Sequence, residues 1–251
     1  MAVAPISSTD LQKFAILLDV DGTLLDIAPT PDGVQVSGSL RDTLIGLWRR
    51  AGGALALVSG RPLADLDRIF APARLPAIGG HGAEIRPAID RAPLQRPTVS
   101  LDDRLRRRLT QLAGGGVLVE DKGYSLALHY RNVPEREGDL RETVAAICAE
   151  MAPATIEILP GKAVIEVKSA RFNKGSGVRE LMAHPPFAGR RPLFIGDDVT
   201  DEAVFAVLPE FEGIGISVGR YFPGVSGMFD GPREVRQWLE RILQGREAAT
   251  T

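Results

Sequence analysis

The chain has 251 residues, 44% hydrophobic and 25% charged, the balance of an ordinary soluble globular protein of one large domain or two modest ones. A formal net charge of -2 argues against nucleic-acid binding by bulk electrostatics, and the single cysteine, Cys148, excludes an intramolecular disulfide or a multi-cysteine metal site. Nothing resembles a signal peptide and no apolar run reaches membrane-spanning length, so a cytoplasmic protein with no membrane or nucleic-acid partner is expected.

Residues 14–18, FAILL, form an unbroken apolar run that predicts a fully buried strand, and it runs directly into Asp19, Asp21 and Gly22. A helical pattern follows on Leu40, Leu44, Leu47 and Trp48, opened by Ser37 or Ser39 as a cap and closed by Gly52-Gly53. Residues 54–58 read as a second buried strand. Pro62 suits the first turn of a helix with Leu63, Leu66, Ile69 and Phe70 on one face, and residues 76–78 are a short third strand. This βαβαβ rhythm implies a parallel sheet with crossover helices.

The middle of the chain has a different grammar. A Pro-rich passage to Pro97 leads to a helix over 101–112, whose Leu101, Leu105, Leu109 and Leu112 make Arg104, Arg106, Arg107 and Arg108 the solvated back of an amphipathic helix. Segments 117–120 and 124–130 flank Asp121-Lys122-Gly123, a hairpin turn signal. A helix after Pro134 carries Cys148 as a core thiol, and strands over 155–159 and 163–167 flank Pro160-Gly161. Hairpins imply an antiparallel sheet with helices on one face, hence a smaller inserted domain. The βα rhythm returns with a helix over 174–182, strands over 192–195 and 213–218, a helix after Asp198 and a last helix over 233–243. The fold class expected is α/β, a Rossmann-like core with a parallel sheet in the order 3-2-1-4-5 and an inserted α/β domain. The core would comprise 1–85 and 170–251, and the insertion 86–169.

In an open α/β sheet, ligands bind beyond the carboxyl ends of the strands where strand order reverses. That reversal falls between the first strand, ending DVDGT, and the fourth, ending GDDVTD, so two acidic clusters face one crevice. Their repulsion calls for a cation, and a hard site with few oxygen ligands suits Mg²⁺. Ser59 and Gly60, closing the second strand at a helix start, offer a hydroxyl and N–H groups to a phosphate, and Lys174 supplies positive charge. Together they suggest phosphoryl chemistry.

In that order, DVDGT, SGR, the lysine of FNKGSG and GDDVTDE resemble the four motifs of haloacid-dehalogenase-type phosphohydrolases. LLDVDGTL, LVSGRPL, GGHGAEIR, LHYRNVP, GKAVIEVKSARFNKGSG and FIGDDVTDEAVF narrow the resemblance to trehalose-6-phosphate phosphatases, and it weakens between Arg86 and Arg104 and after Gly219. The resemblance implies an Mg²⁺-dependent enzyme that hydrolyses trehalose 6-phosphate, in the last step of trehalose biosynthesis, through an aspartyl-phosphate. It makes Asp19 the nucleophile and Asp21 the acid and base. Asp19, the carbonyl of Asp21 and Asp197 would hold the metal, supported by Asp198 and Asp201. Ser59 and Lys174 would bind the phosphoryl oxygens, and Gly60 and Arg61 would also contact the substrate. The insertion would be a cap that closes over the core and recognises the sugar, with His81, Gly82 and Glu84 on the hinge side and Arg131 and Glu166 on the cap. A monomer acting on a small sugar phosphate is expected.

Singly, these residues read more blandly: DxD as a turn, Ser59 as a helix cap, Lys174 as a surface lysine, and Arg131 and Glu166 as exposed strand charges. Only the ensemble gives them chemistry. His129 and His184 belong to no constellation. The competing readings are a capped phosphatase for sucrose phosphate or a mannosyl phosphate, a phospho-receiver, which has no large insertion, and a catalytically dead regulatory domain, which would not retain every turnover residue.

Overall fold

The apolar run after Lys13 becomes β1 (Phe14–Asp19), buried at all six positions. The structure, a computed structural model, describes residues 10–27, 34–94, 101–151, 155–161 and 163–245. It divides into two units, Met1–Gln95 with Asn173–Thr251, and Arg96–Phe172.

In the first unit β1 pairs in parallel with β2 (Leu55–Val58) on one side and β9 (Arg191–Gly196) on the other. Beyond them lie β3 (Ala77–Gly79) and β10 (Ile214–Val218), so the five strands legible in the sequence hold the expected order. Successive β1 side chains serve opposite faces. Ile16 and Leu18 join α1 (Gly38–Arg50), α2 (Leu63–Phe70) and α7 (Pro232–Leu243) through Leu44, Leu66 and Trp238. Ala15 and Leu17 join α5 (Lys174–Met182) and α6 (Glu202–Phe205) through Val178, Leu181 and Phe205. Burial on both faces is why these strands read as continuous apolar runs. Ser37 is the residue that caps α1, its Oγ accepting the Leu40 N–H.

Two edge strands extend the sheet beyond the sequence expectation. β4 (Glu84–Arg86) pairs antiparallel with β3, and β11 (Gly227–Phe229) pairs in parallel with β10. Both lie at the edges of the sheet and pair on one side only. The divergent stretch after Gly219 closes the β11 edge of the sheet. Its Phe222 packs 5.5 Å from the Phe205 ring, and its Phe229 lies 5.6 Å from Trp238. The single helix expected after Asp198 is instead a 3₁₀ turn (Val199–Asp201), α6 and a second 3₁₀ turn (Leu208–Phe211). Pro209, with no N–H, cannot extend an α-helical ladder.

The second unit is a four-stranded antiparallel sheet in the order β5 (Leu118–Asp121), β6 (Ser125–His129), β8 (Val164–Ser169), β7 (Ile156–Gly161). On one face α3 (Asp103–Thr110) and α4 (Glu137–Met151) bury Leu105, Leu109, Leu140, Val144 and Cys148 against Leu126, Leu128, Ile165 and Val167. The arginines of α3 lie outward, Arg106 bonded to Asp121 and Arg108 to Glu150. No helix among the described residues is long and apolar enough to cross a membrane.

The units divide at 95/96 and 172/173, beyond the sequence-derived 85/86 and 169/170. On the first side the reason is Arg86. It pairs with Ala77 in the core sheet, and its guanidinium, 2% exposed, forks onto Asp67 at 2.8 and 2.6 Å while bonding the Leu75 carbonyl. Asp67→Ala should leave a buried cation without its counter-charge and lower stability by on the order of 2–3 kcal/mol in urea melts, with part recovered in the Asp67→Ala/Arg86→Met pair. An unchanged midpoint would mean that water reaches the guanidinium freely.

Candidate active site

Asp19 sits at the last position of β1, 3% exposed. Past it the chain turns sharply, the Leu24 and Leu25 N–H groups both donating to the Val20 carbonyl. Gly22, at φ +88°, lies in this turn, where a β-carbon would collide with the Asp197 carboxylate. The turn thereby brings the ends of β1 and β9 together, and Thr23 Oγ1 donates to Asp197 Oδ1 at 3.1 Å.

Lys174 opens α5, behind Asn173, whose side chain caps the helix by accepting the Ser176 N–H at 2.8 Å. Its ammonium, 4% exposed, donates to Asp19 Oδ1 and to Asp201 Oδ1, both at 2.7 Å. Burial opposes this charge, but the two carboxylates and their hydrogen bonds more than offset it and hold the Lys174 pKa above its ordinary value. Asp201 is fully buried, and its Oδ2 accepts the N–H groups of Asp197 (2.9 Å) and Asp198 (3.0 Å). Asp198 itself is exposed and caps the following turn, accepting the Val199 N–H.

Asp19, Asp197 and Asp201 each place a carboxylate oxygen within 4.8 Å of the others. Three carboxylates against one ammonium leave two uncompensated negative charges. Burial pushes Asp19 well above the usual carboxylate range, and Asp201 and Asp197 add to the effect against the pull of Lys174. Asp197 is raised by burial and by Asp201. Two ionised carboxylates cannot hydrogen-bond each other, and Asp19 Oδ2 is buried with no hydrogen-bond donor. An orphaned anionic oxygen in a buried site with this charge excess fits a divalent cation bound by oxygen. Asp201, both of whose oxygens already accept hydrogen bonds, suits a supporting position better than that of a ligand.

The remaining strand ends pack on one another. Ser59, 2% exposed, accepts the Arg61 N–H on its Oγ at 3.1 Å, and its carbonyl accepts the His81 N–H at 3.1 Å. The His81 ring lies over Gly60, and Gly82 packs against the Asn173 carbonyl so closely that a β-carbon would not fit. Glu84 is engaged locally, its Oε2 accepting the Leu63 N–H at the start of α2 at 2.6 Å. Arg61 forks onto the Asp21 carboxylate, Nε to Oδ2 and Nη2 to Oδ1, both at 2.7 Å.

Arg131 and Glu166 belong to the second unit. Glu166 Oε1 accepts from Ser125 Oγ at 2.6 Å, and its Oε2 lies 3.5 Å from Lys122 Nζ. Arg131 is exposed. Lys162, which shares a sequence motif with Glu166, lies outside the described residues. Sequence reasoning overlooked Thr23, Ser125 and Lys122. Thr23 was within the DVDGT motif, and strand alternation alone puts Ser125 on the Glu166 face.

Strand order, acidic strand ends and a buried lysine define a phosphohydrolase core of the haloacid-dehalogenase type. The chain belongs to the trehalose-phosphatase family, whose model matches residues 17–225. It is 44% identical over 218 residues to a probable trehalose-phosphate phosphatase of Sinorhizobium fredii, covering 86% of this chain and 82% of that one. Identity to the trehalose-6-phosphate phosphatase of Escherichia coli is 37% over 236 residues, 92% of this chain and 86% of that one. The fold matches the C-terminal domain of the C. albicans trehalose-6-phosphate phosphatase with a TM-score of 0.76 at 22% identity, covering 96% of this chain and 99% of that one. The protein is thus an enzyme, a phosphatase.

The raised Asp19 pKa has a consequence for the metal-free protein. Below about pH 4 its carboxyl is protonated in both folded and unfolded chains and costs nothing. As pH rises, the unfolded chain ionises first, so native stability falls until pH passes the folded pKa. In a chelator at pH 7, Asp19→Asn should therefore melt at a higher temperature than the wild type, with the gap closing towards pH 4. A lower melting temperature for Asp19→Asn at pH 7 would show that Lys174 needs the Asp19 charge more than burial penalises it.

Proposed function

We propose that the enzyme hydrolyses trehalose 6-phosphate to trehalose and phosphate in two displacements. The observation that carries the chemistry is the buried Asp19 carboxylate, bonded through one oxygen to Lys174 while the other has no donor. Family membership and the relatives' names support the substrate. In the first displacement an Asp19 oxygen attacks phosphorus, the bond to the sugar oxygen breaks, and that oxygen takes a proton from Asp21. In the second, water gives its proton to Asp21 and attacks the aspartyl-phosphate, releasing phosphate and restoring Asp19.

Ser59, whose Oγ accepts from Arg61 and so keeps its O–H to donate, would bind a phosphoryl oxygen together with Gly60 and the Lys174 ammonium. His81, Gly82 and Glu84 complete the substrate side of the core in this reading. Asp19, the Asp21 carbonyl and Asp197 would hold Mg²⁺, with Asp201 fixing Asp197 through its backbone N–H. When bound, the cation neutralises the two surplus carboxylate charges and the charge developing on the phosphoryl oxygens. Arg131 and Glu166 would select the sugar, Glu166 being held in place by Ser125 and Lys122. The enzyme would act in the cytoplasm as a monomer.

Phosphate release from trehalose 6-phosphate, sucrose 6-phosphate, a mannosyl phosphate and p-nitrophenyl phosphate tests the substrate. Trehalose 6-phosphate should give the highest kcat/KM, chelator should abolish it, and Mg²⁺ should restore it better than Ca²⁺, whose longer bonds and looser shell misplace the reacting groups. Full activity in chelator would sink the metal assignment, and preference for another sugar would sink the substrate. Glu166→Ala should lower kcat/KM for trehalose 6-phosphate by roughly one to two decades, the worth of a buried hydrogen bond, and leave p-nitrophenyl phosphate nearly unchanged. Equal losses on the two would place Glu166 in the chemistry or the fold.

A further inference from the structure

Asp21 is not presented to solvent as a loose carboxylate. Two parallel 2.7 Å bonds from Arg61 fix its plane, and the arginine side chain making them is only 12% exposed. Both partners stand on tightly bonded backbone. The Arg61 N–H donates to Ser59 Oγ at 3.1 Å, and the Arg61 carbonyl accepts the Gly80 N–H at 2.9 Å. On the other side Gly22, next to Asp21, donates its N–H to the Leu25 carbonyl at 2.8 Å. The fork therefore joins the turn after β1 to the turn after β2.

We propose that Arg61 is a positioning residue for Asp21, acting on proton transfer at the leaving sugar oxygen rather than as a ligand of the phosphoryl group. The Nε–Nη2 edge, one of the two bidentate edges of the guanidinium, is turned onto Asp21. An ionised carboxylate has about four lone-pair sites, and the fork occupies one on each oxygen. Each oxygen keeps another for the proton it exchanges with the sugar oxygen or with water. Held in one plane, the carboxyl need not search its rotamers at the moment of bond breaking, and such misorientation costs rate without costing binding. A lysine could supply one contact of the two, without the planar match.

This inference rests on Asp21 being the acid and base, and the experiment separates the two claims. The kinetics of Arg61→Ala, Arg61→Lys, Asp21→Asn and Asp21→Asn/Arg61→Ala would be measured on the preferred sugar phosphate and on p-nitrophenyl phosphate, whose leaving group needs little protonation. Inhibition by inorganic phosphate would be measured for each. Arg61→Ala should lower kcat on the sugar phosphate by about tenfold to a hundredfold, with KM and the phosphate inhibition constant nearly unchanged and a much smaller loss on p-nitrophenyl phosphate. Arg61→Lys should fall between, and it serves alone if the alanine variant does not fold. In the Asp21→Asn background Arg61→Ala should add nothing. A joint rise in KM and in the phosphate inhibition constant, with equal losses on both substrates, would make Arg61 a phosphoryl ligand and overturn the inference. If Asp21→Asn alone hurts the two substrates equally, the role of Asp21 as acid to the leaving group fails, and the inference with it.

Discussion

The ammonium of Lys174, buried between Asp19 and Asp201, is the interaction on which the catalytic end of the core depends. A charge in that position is tolerable only if its partners are in place, so three distant parts of the chain must arrive together. β1 delivers Asp19, the turn after β9 delivers Asp201, and α5 starts two residues past the insertion. The same requirement propagates outward. Asp201 uses its other oxygen to hold the backbone of Asp197 and Asp198, and Gly82 gives way to the Asn173 carbonyl behind the lysine. Gly175, one residue further, gives way to the Ala203 carbonyl.

Two aspartates only two positions apart thus live in different environments. Strand alternation would put Asp19 and Asp21 on one face, but the chain leaves the strand at Val20, whose carbonyl takes two N–H groups of the following turn. Asp19 stays inside, against Lys174, with surplus negative charge around it. Asp21 reaches outward, 37% exposed, into the guanidinium of Arg61. Separation of environment would let two chemically identical groups take the unlike roles proposed for them, nucleophile and proton carrier.

The second unit applies the same pairing of polar groups on the sheet face away from its helices. Ile165 and Val167 go to the helices, and the alternate positions Glu166 and Lys168 go to the other side. There Ser125 lies across from Lys168, and its hydroxyl reaches diagonally to Glu166, while Glu157 pairs with Lys168. These buried or half-buried polar groups pair with one another, which gives the face away from the helices fixed positions for its charges.

The five central strands, their order and the antiparallel insertion were legible because burial on two faces, or on one, writes itself into the chain as continuous or alternating apolar residues. Asp19, Ser59, Lys174 and Asp197 could be read together because each ends or directly follows a strand, or opens a helix, at the carboxyl end of the sheet. β4 and β11 were not, being edge strands stabilised by a single neighbour rather than by a pattern. Nor were the partners: that Arg61 would grip Asp21, that Glu84 would bond the first N–H of α2, or that Glu166 would lean on Ser125. The sequence by itself determined which residues could be buried and at which strand ends charge would collect, because hydrophobic period is a local property. Only the tertiary structure decided which charge meets which, because a hydrogen bond between residues 40 or 155 positions apart depends on distances that no local pattern encodes.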